Sequence, residues 1–186
     1  GEFCSLALAA NNYPHIAYYD SSNAQLKYTY NLGSGWTLKV VDTGNVGKYS
    51  SIAIDSVGKK YIAYYDESNR DLKYATNLTG TWSKFIADST GDVGRYATLK
   101  IDRSNRFYIA YYDATNYDLK YATDISGSVT TGLFDSRNDS CSTDCFIYPS
   151  ITVNKNQEVY ISYFTSQNEL KLKTKKISDN WWTDQI

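Results

Sequence analysis

KKYIAYYDESNRDLKYATNLTGTW, residues 59–82, decides the fold because it recurs through the whole chain. Its Tyr64-Tyr65-Asp66 has counterparts at Tyr18-Tyr19-Asp20 and Tyr111-Tyr112-Asp113, and a worn copy at Tyr163-Phe164-Thr165, in steps of 46, 47 and 52 residues. Two further markers keep the same steps: Trp36, Trp82, Val129 and Trp181, and Ser5, Ser51, Thr98 and Ser150. Three markers in phase make a true repeat, and a period in this range belongs to arrays and propellers. The repeats run approximately over 4–49, 50–96, 97–148 and 149–186.

Each repeat reads as four short strands, A to D. In the second copy they are SSIAIDS, KKYIAYYD, DLKYATN and TWSKFIAD, rich in β-branched and aromatic residues and separated by Asp, Asn, Gly and Ser. No stretch carries a helical period. Strand B does not alternate apolar with polar, which predicts cover on both faces. The expectation is an all-β, four-bladed β-propeller of four antiparallel strands per blade, forming one domain over 1–186. Because the chain starts at a strand A and ends at a strand D, closure is expected from packing of the first repeat on the fourth.

SIAIDSVGKKYIAYYDESNRDLKYATN resembles the tandem Tyr-Tyr-Asp propeller repeats of secreted and surface proteins of bacteria and archaea, over essentially the whole chain. More distantly it is similar to the Asp-box repeats of sialidases and lectins, through Asp55-x-x-Gly58, with Tyr61 where an Asp-box has Trp. The resemblance implies a propeller outside the cell and no defined activity.

Composition narrows the function classes. A net charge of −1 gives no basic field for nucleic acid, and no apolar run is long enough to insert in a membrane. Nineteen Tyr and four Trp, with few charges, suit half-buried strands and wet binding surfaces. Among three Cys, Cys141 and Cys145 lie close enough to close a small loop as a disulfide, with Cys4 as the rival partner, and this favours an oxidising, extracellular setting.

In the expected topology the B–C turns and D–A connectors share one face. That face collects Asn23, Asn69 and Asn116 from the turns, and Lys48, Tyr49, Arg95, Tyr96 and Tyr148 from the connectors, two of which read TGNVGKY and TGDVGRY. Tyr rings beside amides and cations suit a glycan or another extracellular polymer. The bland alternative is that Asp and Asn shape turns while the Tyr rings pack between blades. The Asp-x-x-Asn-x-Asp spacing at Asp66, Asn69 and Asp71, and again at Asp113, Asn116 and Asp118, is a weaker calcium alternative. No cofactor is expected. One His, at a strand position matching Tyr61, and acidic residues that repeat with the blade argue against hydrolase chemistry. The reading is a non-catalytic binding or adhesion module; the alternative is a structural subunit that self-associates into a filament or surface layer.

Overall fold

The computed structural model describes residues 1–78, 80–136, 147–165, 169–176 and 182–185. Among these residues the regular structure is strand alone, in four four-stranded antiparallel sheets, each a meander in chain order. The first sheet contains β1 (Glu2–Leu8), β2 (Pro14–Asp20), β3 (Gln25–Asn31) and β4 (Trp36–Thr43). The second contains β5 (Val46–Ile54), β6 (Lys60–Asp66), β7 (Asp71–Asn77) and β8 (Ser83–Asp88). The third contains β9 (Val93–Ile101), β10 (Phe107–Asp113), β11 (Asp118–Thr123) and β12 (Thr130–Asp135). The fourth contains β13 (Ile147–Val153), β14 (Glu158–Phe164), β15 (Leu170–Lys176) and β16 (Thr183–Asp184).

The sheets stack face to face, and each seam has its own core. Leu26, Val41, Ile52 and Tyr64 fill the first seam, Leu72, Leu99, Phe107 and Tyr111 the second, and Leu119, Phe134, Ile151 and Tyr163 the third. The innermost strands pack in sequence, β1 on β5, β5 on β9 and β9 on β13. The first and fourth sheets share no comparable packing among the described residues, so the closure expected of a four-membered ring is not seen there. Burial follows from this arrangement. In the two inner sheets strand B is covered on both faces, β10 along its whole length, whereas β2 and β14 alternate because each terminal sheet has one face covered.

Two of the three sequence markers, Tyr-Tyr-Asp and Ser, make repeated contacts in the seams. The first Tyr of Tyr-Tyr-Asp reaches back: Tyr64 Oη donates to Asp42 at 2.8 Å and Tyr111 Oη to Asp88 at 2.7 Å, each acceptor on strand D of the preceding sheet, and Tyr163 does the same to Asp135. The second Tyr reaches forward to the next connector, Tyr19 Oη donating to Asn45 and Tyr65 Oη to Asp92, both at 2.8 Å. The Asp closes its own B–C turn. The Ser marker serves the inner strands, where Ile52 N–H donates to Ser5 Oγ at 3.1 Å and Leu99 N–H to Ser51 Oγ at 3.0 Å. Adjacent sheets do not pair their backbones there, so a hydroxyl satisfies the amide.

The connectors explain their glycines. Gly47 and Gly94 have φ of +112° and +107°, and a Cβ on them would stand 2.8 Å from the Cα of Leu26 and of Leu72. Each connector thus crosses the preceding strand C in backbone contact, which only glycine permits. Gly44 has φ +103° but open space around it. Gly94→Ala is therefore expected to lower stability by about 2 kcal/mol more than Gly44→Ala, the strain of a positive φ being common to both. Chemical denaturation of the two variants measures the difference, and equal losses would refute the close-approach account.

Candidate functional site

The turn-and-connector face divides into two groups of residues. The amides of Asn23, Asn69 and Asn116 are committed to turn construction: their Nδ2 groups donate to Asp20, Asp66 and Asp113 at 2.7, 3.0 and 2.9 Å. Lys48 pairs with Glu67 at 2.5 Å and stands 5.6 Å from the Tyr19 ring centre. Arg95 pairs with Asp92 at 2.7 Å and lies 5.7 Å over the Tyr65 ring. Burial and then the Asp92 carboxylate push the Tyr65 hydroxyl up to about 12. These cations clamp one sheet to the next.

Asp66 and Asp113 likewise face inward. Lys73 lies 3.4 Å from Asp66 and Lys120 lies 3.8 Å from Asp113. Asp71, whose carboxyl is raised by burial and then by Asp66, opens β7, as Asp118 opens β11. Among the described residues no cluster of three or more His, Cys, Asp or Glu side chains could hold a metal.

Tyr49, Tyr96 and Tyr148 do come together, with Phe3 as the fourth member at the matching position. Their ring centres follow one another at 4.6 Å from Phe3 to Tyr49, 4.6 Å to Tyr96 and 5.4 Å to Tyr148. All four have positive φ, from 51° to 58°, a conformation that costs a residue with a Cβ about 1–2 kcal/mol. The register of the inner strand shifts at Phe3, Tyr49 and Tyr148, and such bulges re-aim side chains. The row lines an open groove of about 460 Å³ that also includes Ser50, Ala97 and Pro149. Tyr148 at its end is 69% exposed. Cys4, exposed and without a disulfide partner among the described residues, borders the same groove. The expected Cys141–Cys145 loop lies outside the described residues.

On the opposite face, beside the A–B and C–D turns, two clefts open at the first and third seams. The first has a volume of about 200 Å³ and is walled by His15, Tyr28, Tyr30, Lys60 and Trp82. The second, of about 210 Å³, is walled by Tyr108, Tyr121, Ile125, Lys175 and Trp182. Corresponding positions build both. Trp82 meets Tyr28 edge-on at 5.1 Å, and Trp182 meets Tyr121 edge-on at 5.6 Å. Each cleft has a lysine from the same ladder rung: Lys60 pairs with Asn77 in the second sheet, and Lys175 pairs with Val159 in the fourth. The buried Nε1 of Trp82 and of Trp182 has no hydrogen-bond partner. A buried N–H left unpaired is costly, and two of them at matching positions need an explanation.

The middle seam has no such cleft among the described cavities, for a visible reason. Val129 stands where the other two seams have Trp, and Phe107, 2% exposed, fills the space beside Tyr74 at 5.0 Å. His15 sits at a strand position facing Tyr28 and is held toward its neutral form. Its Nδ1 lies 2.5 Å from Tyr28 Oη, and burial and then Lys60 pull its pKa down. Of the sequence-predicted site residues, none lies in these clefts. The repeating Trp carried the signal, but the sequence alignment placed Trp181 in phase. The ladder instead pairs Thr174 with Thr183, as Thr76 pairs with Ser83, so Trp182 is the equivalent of Trp82. The fourth repeat has one residue fewer between Phe164 and Leu170 than lies between Tyr65 and Leu72, but two more between Thr174 and Thr183 than between Thr76 and Ser83. The net is that one-residue offset.

No family model and no curated protein matches this chain. Solved structures do. A fungal lectin from Aleuria aurantia, a six-bladed β-propeller, aligns at 14% identity and TM-score 0.68 over 98% of this chain and 60% of the lectin. A lectin from Burkholderia pseudomallei aligns at 12% identity and TM-score 0.75, over 98% of this chain and 54% of that one. A Hadza microbial sialidase aligns at 10% identity and TM-score 0.67, over 99% of this chain and 46% of the enzyme. The four sheets are thus blades of a β-propeller fold, and the chain spans between about half and three-fifths of these proteins.

Proposed function

We propose that this chain is a non-catalytic carbohydrate-binding module that works outside the cell and seats single sugar rings in the two inter-blade clefts. The observation that carries this is the pair of buried, unpartnered indole N–H groups, each set in an aromatic wall beside a lysine. A sugar offers C–H faces to rings and hydroxyl oxygens to N–H donors. Clefts of about 200 Å³ are below the size of pockets for drug-sized ligands, which favours one ring over several. Support also comes from the fold shared with lectins, one of which is described by its fucose recognition. The axial row of Tyr49, Tyr96 and Tyr148 is a second surface of the same chemistry, on which an extended glycan or other polymer could lie across the blade tops.

A glycan array followed by calorimetry tests this reading. Trp82→Phe and Trp182→Phe keep an aromatic wall and remove the donor. Each is expected to weaken binding at its own cleft about 5- to 30-fold, the worth of one buried hydrogen bond, and the double variant to lose it. Tyr96→Ala is expected to weaken polymer binding while leaving the affinity for a monosaccharide unchanged. Absence of any glycan signal, or signal indifferent to both Trp substitutions, would remove the clefts from consideration.

A further inference from the structure

The two ends of the blade arc are exposed halves of an interface that occurs three times within it. At the start, Leu6 is 62% exposed, whereas its equivalents Ile52, Leu99 and Ile151 are 5, 2 and 2% exposed because the preceding blade covers them. At the far end, Leu170 is 52% exposed, whereas Leu26, Leu72 and Leu119 at the same ladder position are fully covered by the following blade. Phe164 repeats the contrast: it is 43% exposed where Tyr65 and Tyr112 are 3 and 0%.

The polar contacts agree. In the first and second seams an Asp from the preceding strand D takes both the first Tyr and a lysine of the following blade, as Asp88 takes Tyr111 and Lys120 at 2.7 and 2.6 Å. Tyr18 and Lys27 hold these positions in the first blade. No earlier strand D reaches them among the described residues, and Lys27 pairs with Asp20 of its own blade.

We propose that both ends are seated against further blades of this same four-stranded design, two in number, completing a six-membered ring. The blade seated on β1 supplies a strand-D aspartate to Tyr18 Oη and Lys27 Nζ. The occupant follows from continuity with the three existing seams: apolar residues at matching positions, and a tyrosine and a lysine awaiting one carboxylate. The number follows from the superposition, in which four blades cover 60% of a six-bladed ring. A second whole copy of the chain would bring four blades to a gap of two.

The test extends the chain by its own repeats. By the strand register Ile186 corresponds to Val40, so residues 41–135 appended after Ile186 finish the fourth blade and add two more. The second added blade ends on a copy of Asp135, facing Tyr18. The extended protein is expected to sediment as a monomer, to bind less of a hydrophobic dye than the 186-residue chain, and to melt about 10 °C or more higher. Tyr18→Phe is expected to lower the melting point of the extended chain and leave that of the 186-residue chain unchanged. An extended chain that melts no higher overturns the proposal. So does a 186-residue chain that forms dimers or polymers dispersed by Leu6→Glu, because the occupant is then a second copy. A third overturning result needs no extension: a 186-residue chain whose melting point rises with concentration and falls with Tyr18→Phe.

Discussion

Between pH 9 and pH 11 the protein is expected to lose about 4 kcal/mol of stability and to unfold cooperatively as its tyrosines ionise. Tyr64, Tyr111 and Tyr163 stand at the three seams, each 1% exposed or less. Burial first, and then the carboxylate that accepts each hydroxyl proton, push their pKa values far above the ordinary 10. The protonated phenol is the neutral form, so the folded state holds these protons more tightly than the unfolded chain does. Their contribution is fully present below pH 10 and is lost as pH rises from there toward the folded-state values. Each group contributes about 1.4 kcal/mol per pH unit, so three reach about 4 kcal/mol at pH 11, a large part of a typical domain's stability. Phenolate absorbance and circular dichroism recorded on one titration check this. The last phenolates are expected to appear only as the fold is lost; a phenolate signal that accounts for all nineteen tyrosines with the fold intact would contradict the buried assignment.

These tyrosines also show how much of the fold was legible in the sequence. Their spacing, with the Trp and Ser markers, was enough for four meanders of four strands, because the Tyr and Ser markers perform the same contacts in successive seams. Whether the ring closes was not legible. Sequence counts the blades in hand, but exposure of Leu6 and Leu170 is a property of neighbours.

The candidate site divides in the same way. Tyr49, Tyr96 and Tyr148 could be found because they occupy one repeated position, and the fold brings repeated positions around one axis. Lys48 and Arg95 shared that spacing, but Glu67 and Asp92 occupy their charges, Glu67 from the B–C turn and Asp92 from the connector itself. The clefts were hidden for a different reason. They form only where a blade has Trp and no filler at the position of Phe107, two changes within one repeat whose meeting across the seam with the Tyr of the preceding blade is set by the fold alone. The register offset in the fourth blade then concealed which of Trp181 and Trp182 belonged to the set.

Asp88→Ala is expected to cost about 3–5 kcal/mol, the loss typical of removing one partner from a buried charge pair. Asp88 accepts from Tyr111 Oη at 2.7 Å, from Lys120 Nζ at 2.6 Å and from the Thr90 amide at 3.0 Å. Burial would raise its pKa, but the Lys120 and Tyr111 hydrogen bonds outweigh it and hold the carboxyl below its ordinary range. Removing the carboxylate strands a fully buried hydroxyl and leaves Lys120 with the longer 3.8 Å contact to Asp113 and the Tyr111 ring 5.8 Å away. Tyr111→Phe removes one donor and leaves the ion pair, so its expected cost is about 1 kcal/mol. If the three groups act as one unit, Asp88→Ala combined with Tyr111→Phe must cost less than the two single losses together, because the second change relieves an orphaned hydroxyl created by the first. Denaturation of the four proteins closes that cycle. Strict additivity would mean that the seam rests on apolar burial alone and that its polar contacts are incidental.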